Sequence, residues 1–334
     1  MDVPIWVWIA TVAAILIMLA IDLVGHVRTP HAPTLREASW WSAAYVAVGL
    51  LFGVVVLWGW GSDLAVQYYS GYLTEKSLSI DNLFVFVLIM ASFAVPREFQ
   101  QKVLFVGIVL ALVLRTVFIF LGASLVNNFA WIFYIFGAFL LWTAWAQLRS
   151  GTGHDEEYHE NGLVRLARRL FPTTDGFVED KMVVRRDGRW LITPMLVVMV
   201  AIGSADILFA VDSIPAIFGI TQEVYLIFAA NAFSLLGLRQ LYFLVGGLLD
   251  RLVYLSYGLA AILAFIGAKL LIHALHENEV FFINGGEPVH AIPEIEPVPS
   301  LLVIVAILTV TTVASLLKSR SGRAEQNTNL PAGS

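Results

Sequence analysis

Glu75-Lys-Ser-Leu-Ser-Ile-Asp81-Asn82 and Asp206-Ile-Leu-Phe-Ala-Val-Asp212-Ser213 are the two stretches on which the reading of this chain turns. Each pairs two carboxylates six residues apart inside a long apolar run. A charged side chain at mid-bilayer depth costs roughly 2.5–3.5 kcal/mol on insertion scales, so two such pairs need a compensating gain. A bound cation or a proton relay supplies one. The pattern points to transport rather than to anchoring.

Composition agrees with a membrane setting. Of 334 residues, 59% are hydrophobic and only 13% charged, with a mean hydropathy of +0.80. A soluble domain of this size carries about 25% charge. Cysteine is absent, which excludes disulfides, thiolate metal sites and cysteine nucleophiles. No cleavable signal is evident, because Val3–Ala20 is long enough to span and no basic segment precedes it.

Nine apolar stretches predict membrane-spanning helices near 4–24, 40–60, 68–92, 102–124, 129–148, 192–218, 224–247, 253–275 and 300–317. Trp6, Trp8, Trp40, Trp41, Trp58, Trp60, Trp131 and Trp190 fall near their ends, as interfacial anchors do. With the N-terminus outside, all of the 20 Lys and Arg except Lys76, Arg115, Arg239 and Lys269 lie on inside segments. The loop at 276–299 carries only acids. The positive-inside rule therefore predicts an N-out, C-in chain.

The expected organisation is 1–148 for spans 1–5, 149–190 for a cytoplasmic loop, 191–275 for spans 6–8, 276–299 for an acidic periplasmic loop and 300–334 for span 9 with a basic tail. In the cytoplasmic loop, Leu163, Val164, Ala167, Leu170 and Phe171 form one helical stripe beside Arg165, Arg168 and Arg169. It reads as an interfacial amphipathic helix or as a solvated linker helix. The tail after Arg323 has the composition of a disordered segment.

The acidic motifs belong to a longer internal match. Leu114-Arg115-Thr-Val-Phe118 with Gly122 corresponds to Leu238-Arg239-Gln-Leu-Tyr242 with Gly246. Tyr134-Ile-Phe-Gly137-Ala138 matches Tyr257-Gly258-Leu-Ala-Ala261 more loosely. Spans 3–5 and 6–8 thus read as two copies of a three-helix unit. An odd number of spans per copy makes the copies run oppositely, the arrangement that puts ion sites at a midplane interface in secondary transporters.

Six residues of helix advance about 9 Å and turn about 240°, so the two acids of one motif cannot share an ion on an unbroken helix. The expectation is a central Asp81/Asp212 pair, with Glu75 toward the outer mouth and Asp206 toward the inner one. Asn82, Ser213, Ser204 and Asn231 add oxygen ligands, a set suited to Mn²⁺, Mg²⁺ or Ca²⁺ rather than Cu⁺ or Zn²⁺. Pro215 predicts a kink that frees carbonyls. Against these stand plainer readings: Arg115 and Arg239 as structural ion pairs, Asp22 as a solvated helix end, and His273 and His276 as interfacial. The asparagines could equally serve as interhelical hydrogen bonds.

At these residues the chain resembles the TerC family of integral membrane proteins, named for tellurium resistance, and most closely its Alx-like branch. The matching stretches run from Glu75 to Val85, from Asp206 to Ala216 and from Asn231 to Arg239. The resemblance implies an inner-membrane protein that exports Mn²⁺, with the family's acidic positions falling on Glu75, Asp81, Asp206 and Asp212. Gly203 stands where many relatives carry a Glu. The function expected is export of a divalent cation, Mn²⁺ first, with protons as a counter-ion. The alternatives are a Ca²⁺ or other cation/H⁺ antiporter and a membrane stress-complex scaffold. No nucleophile–base pair or cofactor motif suggests an enzyme, a resident cofactor or a nucleic-acid partner, and the oligomeric state stays open.

Overall fold

A computed structural model describes residues 1–27, 34–129, 131–150, 173–174, 176–179, 181–186, 189–245, 254–278, 280–281, 283–289 and 292–328, with backbone only at 26–27, 81, 84, 127, 150, 186, 189, 245 and 319–328. The amphipathic stripe at 163–171, Gly246 and the end of the tail lie outside the described residues.

The architecture is helical: α1 (Ile5–Asp22), α2 (Leu35–Trp60), α3 (Ser62–Ser92), α4 (Arg97–Asn128), α5 (Ile132–Ser150), α6 (Pro194–Phe218), α7 (Val224–Leu235), α8 (Leu238–Val245), α9 (Leu255–His276) and α10 (Pro297–Thr328). Among the described residues, 8 helical stretches are long and apolar enough to cross a membrane. At 31 residues α3 is long enough too, but it carries Asp63, Glu75, Lys76 and Asp81. The protein is a polytopic integral membrane protein.

Helix α1 shows why lipid is its solvent. It buries only the stripe Val7, Thr11, Ile15, Leu19 and Asp22, while Ile5 (74% exposed), Trp6 (68%) and Ile9 (62%) point outward. Apolar residues all round a helix are tolerated only where the surroundings are apolar. The opposite case is Val224–Leu244, 89% buried, which protein encloses on all sides. Helix α2 begins five residues before the expected start because Thr34 accepts from Glu37 N (3.2 Å), closing half of a Thr-x-x-Glu cap.

Neighbouring contacts fix helix directions. A Cβ on Gly71 of α3 would lie 3.4 Å from Ile217 near the end of α6, whereas Phe86, later on α3, meets Phe209, earlier on α6, at a centroid distance of 6.4 Å. Helices α3 and α6 therefore run antiparallel. Helices α5 and α9 are also antiparallel, with Phe133 against His273 (4.8 Å between rings) and Gly137 against Gly267. Crosswise, α3 packs on α7 and α4 on α6.

Two features depart from the sequence expectations. The stretch 224–247 is not one helix: it breaks at Leu236–Gly237, where Gly237 takes φ +81° and a Cβ would sit 2.7 Å from Tyr45. Only glycine meets both conditions. Val183–Arg186 and Arg189–Ile192 form an antiparallel pair, β1 and β2, where a cytoplasmic loop is expected to run into the sixth span. Thr193, wholly buried, stitches this hairpin to α6 by donating from its N to Met182 O (2.9 Å) and from its hydroxyl to Lys181 O (2.6 Å). Gly258, in the stretch whose sequence loosely matches Tyr134–Ala138, packs on Thr311 of α10.

Candidate functional site: a buried ionic layer between antiparallel helices

The apolar core splits into two clusters. One joins the first half of α3 to the end of α6, and the other joins the second half of α3 to the start of α6. A polar layer separates them. Helical spacing puts Gln67, Gly71, Glu75, Leu78 and Asn82 on one face of α3, and the acidic residues of that face meet those of α6 in the layer.

At its centre lies Arg115 of α4, fully buried. Its Nη1 donates to Glu75 Oε2 (2.8 Å) and its Nη2 to Asp206 Oδ1 (3.2 Å). Glu75 and Asp206 are 0% and 1% exposed. The Asn82 amide, oriented so that Nδ2 donates to Leu78 O (3.1 Å), offers Oδ1 to Arg115 Nη2 (3.1 Å). The Asn231 amide lies against Glu75, and Asp206 Oδ2, Arg115 Nε and Ser213 Oγ in this layer have no hydrogen-bond partner among the described residues. Such groups normally find partners, since each orphan costs about 1–3 kcal/mol, more when charged.

Asp212 lies one and two-thirds turns past Asp206 on α6 and does not join Arg115. Its Oδ1 accepts a long bond from Thr143 of α5 (3.4 Å). Asp212, Ser213, Asn82, Leu78, Thr143 and Gln147 line a cavity of about 240 Å³, large enough for several waters or a hydrated ion. Asn82 thus touches Arg115 on one side and forms the cavity wall on the other. A second cavity of about 250 Å³, lined in part by Gln67, Phe218, Lys269 and Glu294, sits at the opposite end of the α3 stripe.

The arrangement differs from the expected one in a definite way. Glu75 and Asp206, expected in separate vestibules, converge on one guanidinium instead. A buried arginine demands counter-charge, and opposed helices carry both acids to the same level. The side chain of Asp81 lies outside the described residues. Asn231 is buried on α7, its amide near Glu75, while Ser204 turns back to Ala201 O (2.8 Å). Among the described residues no three His, Cys, Asp or Glu side chains converge on one point.

Asp22 is a correction. Rather than being solvated, it is 7% exposed and accepts from Arg239 (2.6 Å), Gln240 (2.7 Å) and Tyr45 (3.2 Å). The break at Gly237 swings Arg239 away from the centre and onto α1, where a carboxylate offsets its charge. His273 and His276 lie at the end of α9 beside Glu294, at 2.8 and 3.8 Å. Gly203 is a packing position: a Cβ there would meet Leu110 Cδ2 at 2.5 Å, so α4 closes on α6 where a longer side chain would stand. Pro215 leaves α6 helical to Phe218.

Thr143 and Gln147 were missed, although two polar residues four apart in an otherwise apolar run are a readable signal. So was Lys76, whose Nζ donates to Ser234 O (3.0 Å) and Leu236 O (3.5 Å). It satisfies carbonyls at the end of α7 rather than serving the carboxylates beside it in sequence.

Fold and site together define a polytopic integral membrane protein organised round a buried ion-pair layer. The family model described as the integral membrane protein TerC family matches residues 60–323. The chain belongs to that family. It is 52% identical over 323 residues to an uncharacterized membrane protein of Mycobacterium tuberculosis (strain ATCC 25618 / H37Rv), covering 96% of this chain and 81% of the relative. It is 39% identical to a membrane protein of Myxococcus xanthus, covering 94% and 92%. To a putative membrane-bound redox modulator, Alx, of Escherichia coli (strain K12) it is 40% identical, covering 79% and 85%. No solved structure matches the chain.

Proposed function

We propose that the protein is a secondary transporter that exports a divalent cation, Mn²⁺ first, across the bacterial inner membrane, with protons as counter-ion. The observation that carries this reading is the buried pair of carboxylates, Glu75 and Asp206, on one guanidinium, joined through Asn82 to the cavity at Asp212. Hard oxygen donors of this kind suit Mn²⁺, Mg²⁺ or Ca²⁺. In this reading nine helices cross the bilayer from an outside N-terminus, α3 counting as one and α7 with α8 as another. The antiparallel course of α3 and α6, and of α5 and α9, supports two inverted three-helix units, as does the crosswise packing of α3 on α7 and α4 on α6. The cavity at Asp212 extends to Gln147, near the end of α5, the side that basic residues mark as cytoplasmic.

The test is uptake of radioactive Mn²⁺ into inside-out vesicles, with and without a pH gradient, for the wild type and Asp212→Asn. Accumulation that the variant loses supports export; none above empty vesicles overturns it. Ca²⁺ accumulation in its place moves the protein to a Ca²⁺/H⁺ antiporter. A scaffold would survive Asp212→Asn in cells and fail on deletion of 150–189. The name carried by the Escherichia coli relative suggests redox work, but thiol exchange has no group here in a chain without cysteine.

A further inference from the structure

Arg115 stands between the two cavities. The α3 stripe leads from Gln67, at the 250 Å³ cavity, past Glu75 to Leu78 and Asn82, at the 240 Å³ cavity. At the level between them the way is closed by the Glu75–Arg115–Asp206 triad and by Ile217 and Ala230 against Gly71. We infer that Arg115 is a tethered cation that occupies the cargo's carboxylates in the empty carrier and must be displaced when a divalent cation binds. This rests on the export reading given above.

The bonding of Arg115 is not that of an ion pair built for strength. A guanidinium fork matched to one carboxylate makes two parallel bonds. Arg115 instead makes one bond to each of two carboxylates and leaves Nε without a partner, while Asp206 keeps an idle oxygen. The guanidinium stands between the two carboxylates. Charge decides the rest. Two carboxylates and one arginine carry a formal −1, and a divalent ion in place of the arginine brings the pair to zero. Both cations together give +1 in a dry layer, with like charges in contact, so arginine and cargo exclude each other. A monovalent ion merely substitutes one unit charge for another and gains nothing over the resident group, which favours a divalent cargo.

Displacement has somewhere to go. Nη2 of Arg115 already touches Asn82 Oδ1, and Asn82 forms the wall of the cavity holding Asp212 and the unpartnered Ser213 hydroxyl. Asp212 has one long hydrogen bond to Thr143, so the guanidinium gains a carboxylate there when it leaves the other two.

The test is titration of Mn²⁺ into the full-length protein in lipid nanodiscs, beside vesicle transport. Removing a resident competitor raises apparent affinity by the inverse of the competent fraction, so Arg115→Met should bind Mn²⁺ about tenfold more tightly or better, and transport it more slowly because nothing helps eject it. Arg115→Lys, a single point charge without the fork, should tighten binding less. Unchanged or weaker binding in a folded Arg115→Met protein overturns the inference. If Arg115→Met fails to accumulate, Arg115→Lys decides by the same titration: tighter binding supports the inference and unchanged binding overturns it. Wild-type protein that neither binds nor transports Mn²⁺ instead removes the export reading itself.

Discussion

Gly137 of α5 and Gly267 of α9 meet backbone to backbone: a Cβ on the first would lie 2.9 Å from the carbonyl oxygen of the second, and one on the second 3.0 Å from the carbonyl of the first. The contact is reciprocal, as a local two-fold axis requires. It also puts the third helices of the proposed repeats in register at an offset close to the one relating Glu75 to Asp206.

Substituting alanine at Gly137 or Gly267 forces these helices apart. Overpacking of this kind costs about 1–3 kcal/mol, and valine costs more. Thermal unfolding of the purified protein in detergent should show a lowered midpoint for each alanine variant, with valine below both.

Glu75→Gln together with Asp206→Asn leaves Arg115 with no carboxylate in a dry layer, where breaking a buried ion pair costs about 3–5 kcal/mol. Adding Arg115→Met removes the orphaned charge as well. The prediction is a large loss of stability for the double variant and substantial recovery for the triple, read by thermal midpoint. Equal losses would mean that the pair contributes nothing beyond packing.

Glutamate at position 203, the residue expected in many relatives, must displace the end of the Leu110 side chain, which fills that space. Accumulation in the membrane should fall for Gly203→Glu and recover when Leu110→Ala is added. Recovery without the second change would show that Leu110 moves aside freely.

Thr143→Val removes the hydroxyl facing Asp212 while keeping the shape. The bond is long, 3.4 Å, so the effect on transport should be modest, about threefold to tenfold in KM, corresponding to roughly 1 kcal/mol. Asp212→Asn should abolish Mn²⁺ uptake in the same vesicles.

Gly237→Ala meets both a left-handed backbone and Tyr45, and Lys76→Met strips the cap from Ser234 O and Leu236 O. Each should lower the unfolding midpoint by an amount equivalent to about 1–3 kcal/mol. Lys76→Arg, which keeps the donors, should lie close to wild type.

The helices were legible because each is a long apolar run, a signal that survives without neighbours. The Thr34–Glu37 cap was legible as well and simply went unread. Other features depend on partners that sequence does not supply. Glu75 and Asp206 lie far apart in the chain, and nothing at either position announces that Arg115 will stand between them. Asp22 looked like a frayed end because Arg239, its counter-charge, sits more than two hundred residues away. The break after Leu235 is written as one glycine among many; its meaning comes from Tyr45 pressing on it. Strands β1 and β2 carried a usable clue in Asp187–Gly188, a hairpin dipeptide between two short runs rich in branched and aromatic residues.

The join between β2 and α6 has a practical side. One residue, Thr193, separates the hairpin from the helix bearing Asp206 and Asp212, and its backbone and hydroxyl both grip the strand. Rotation or sliding of α6 must therefore drag the hairpin with it. A fluorophore or antibody fragment fixed to Trp190, 65% exposed, becomes a pointer for a gear that lipid hides from view.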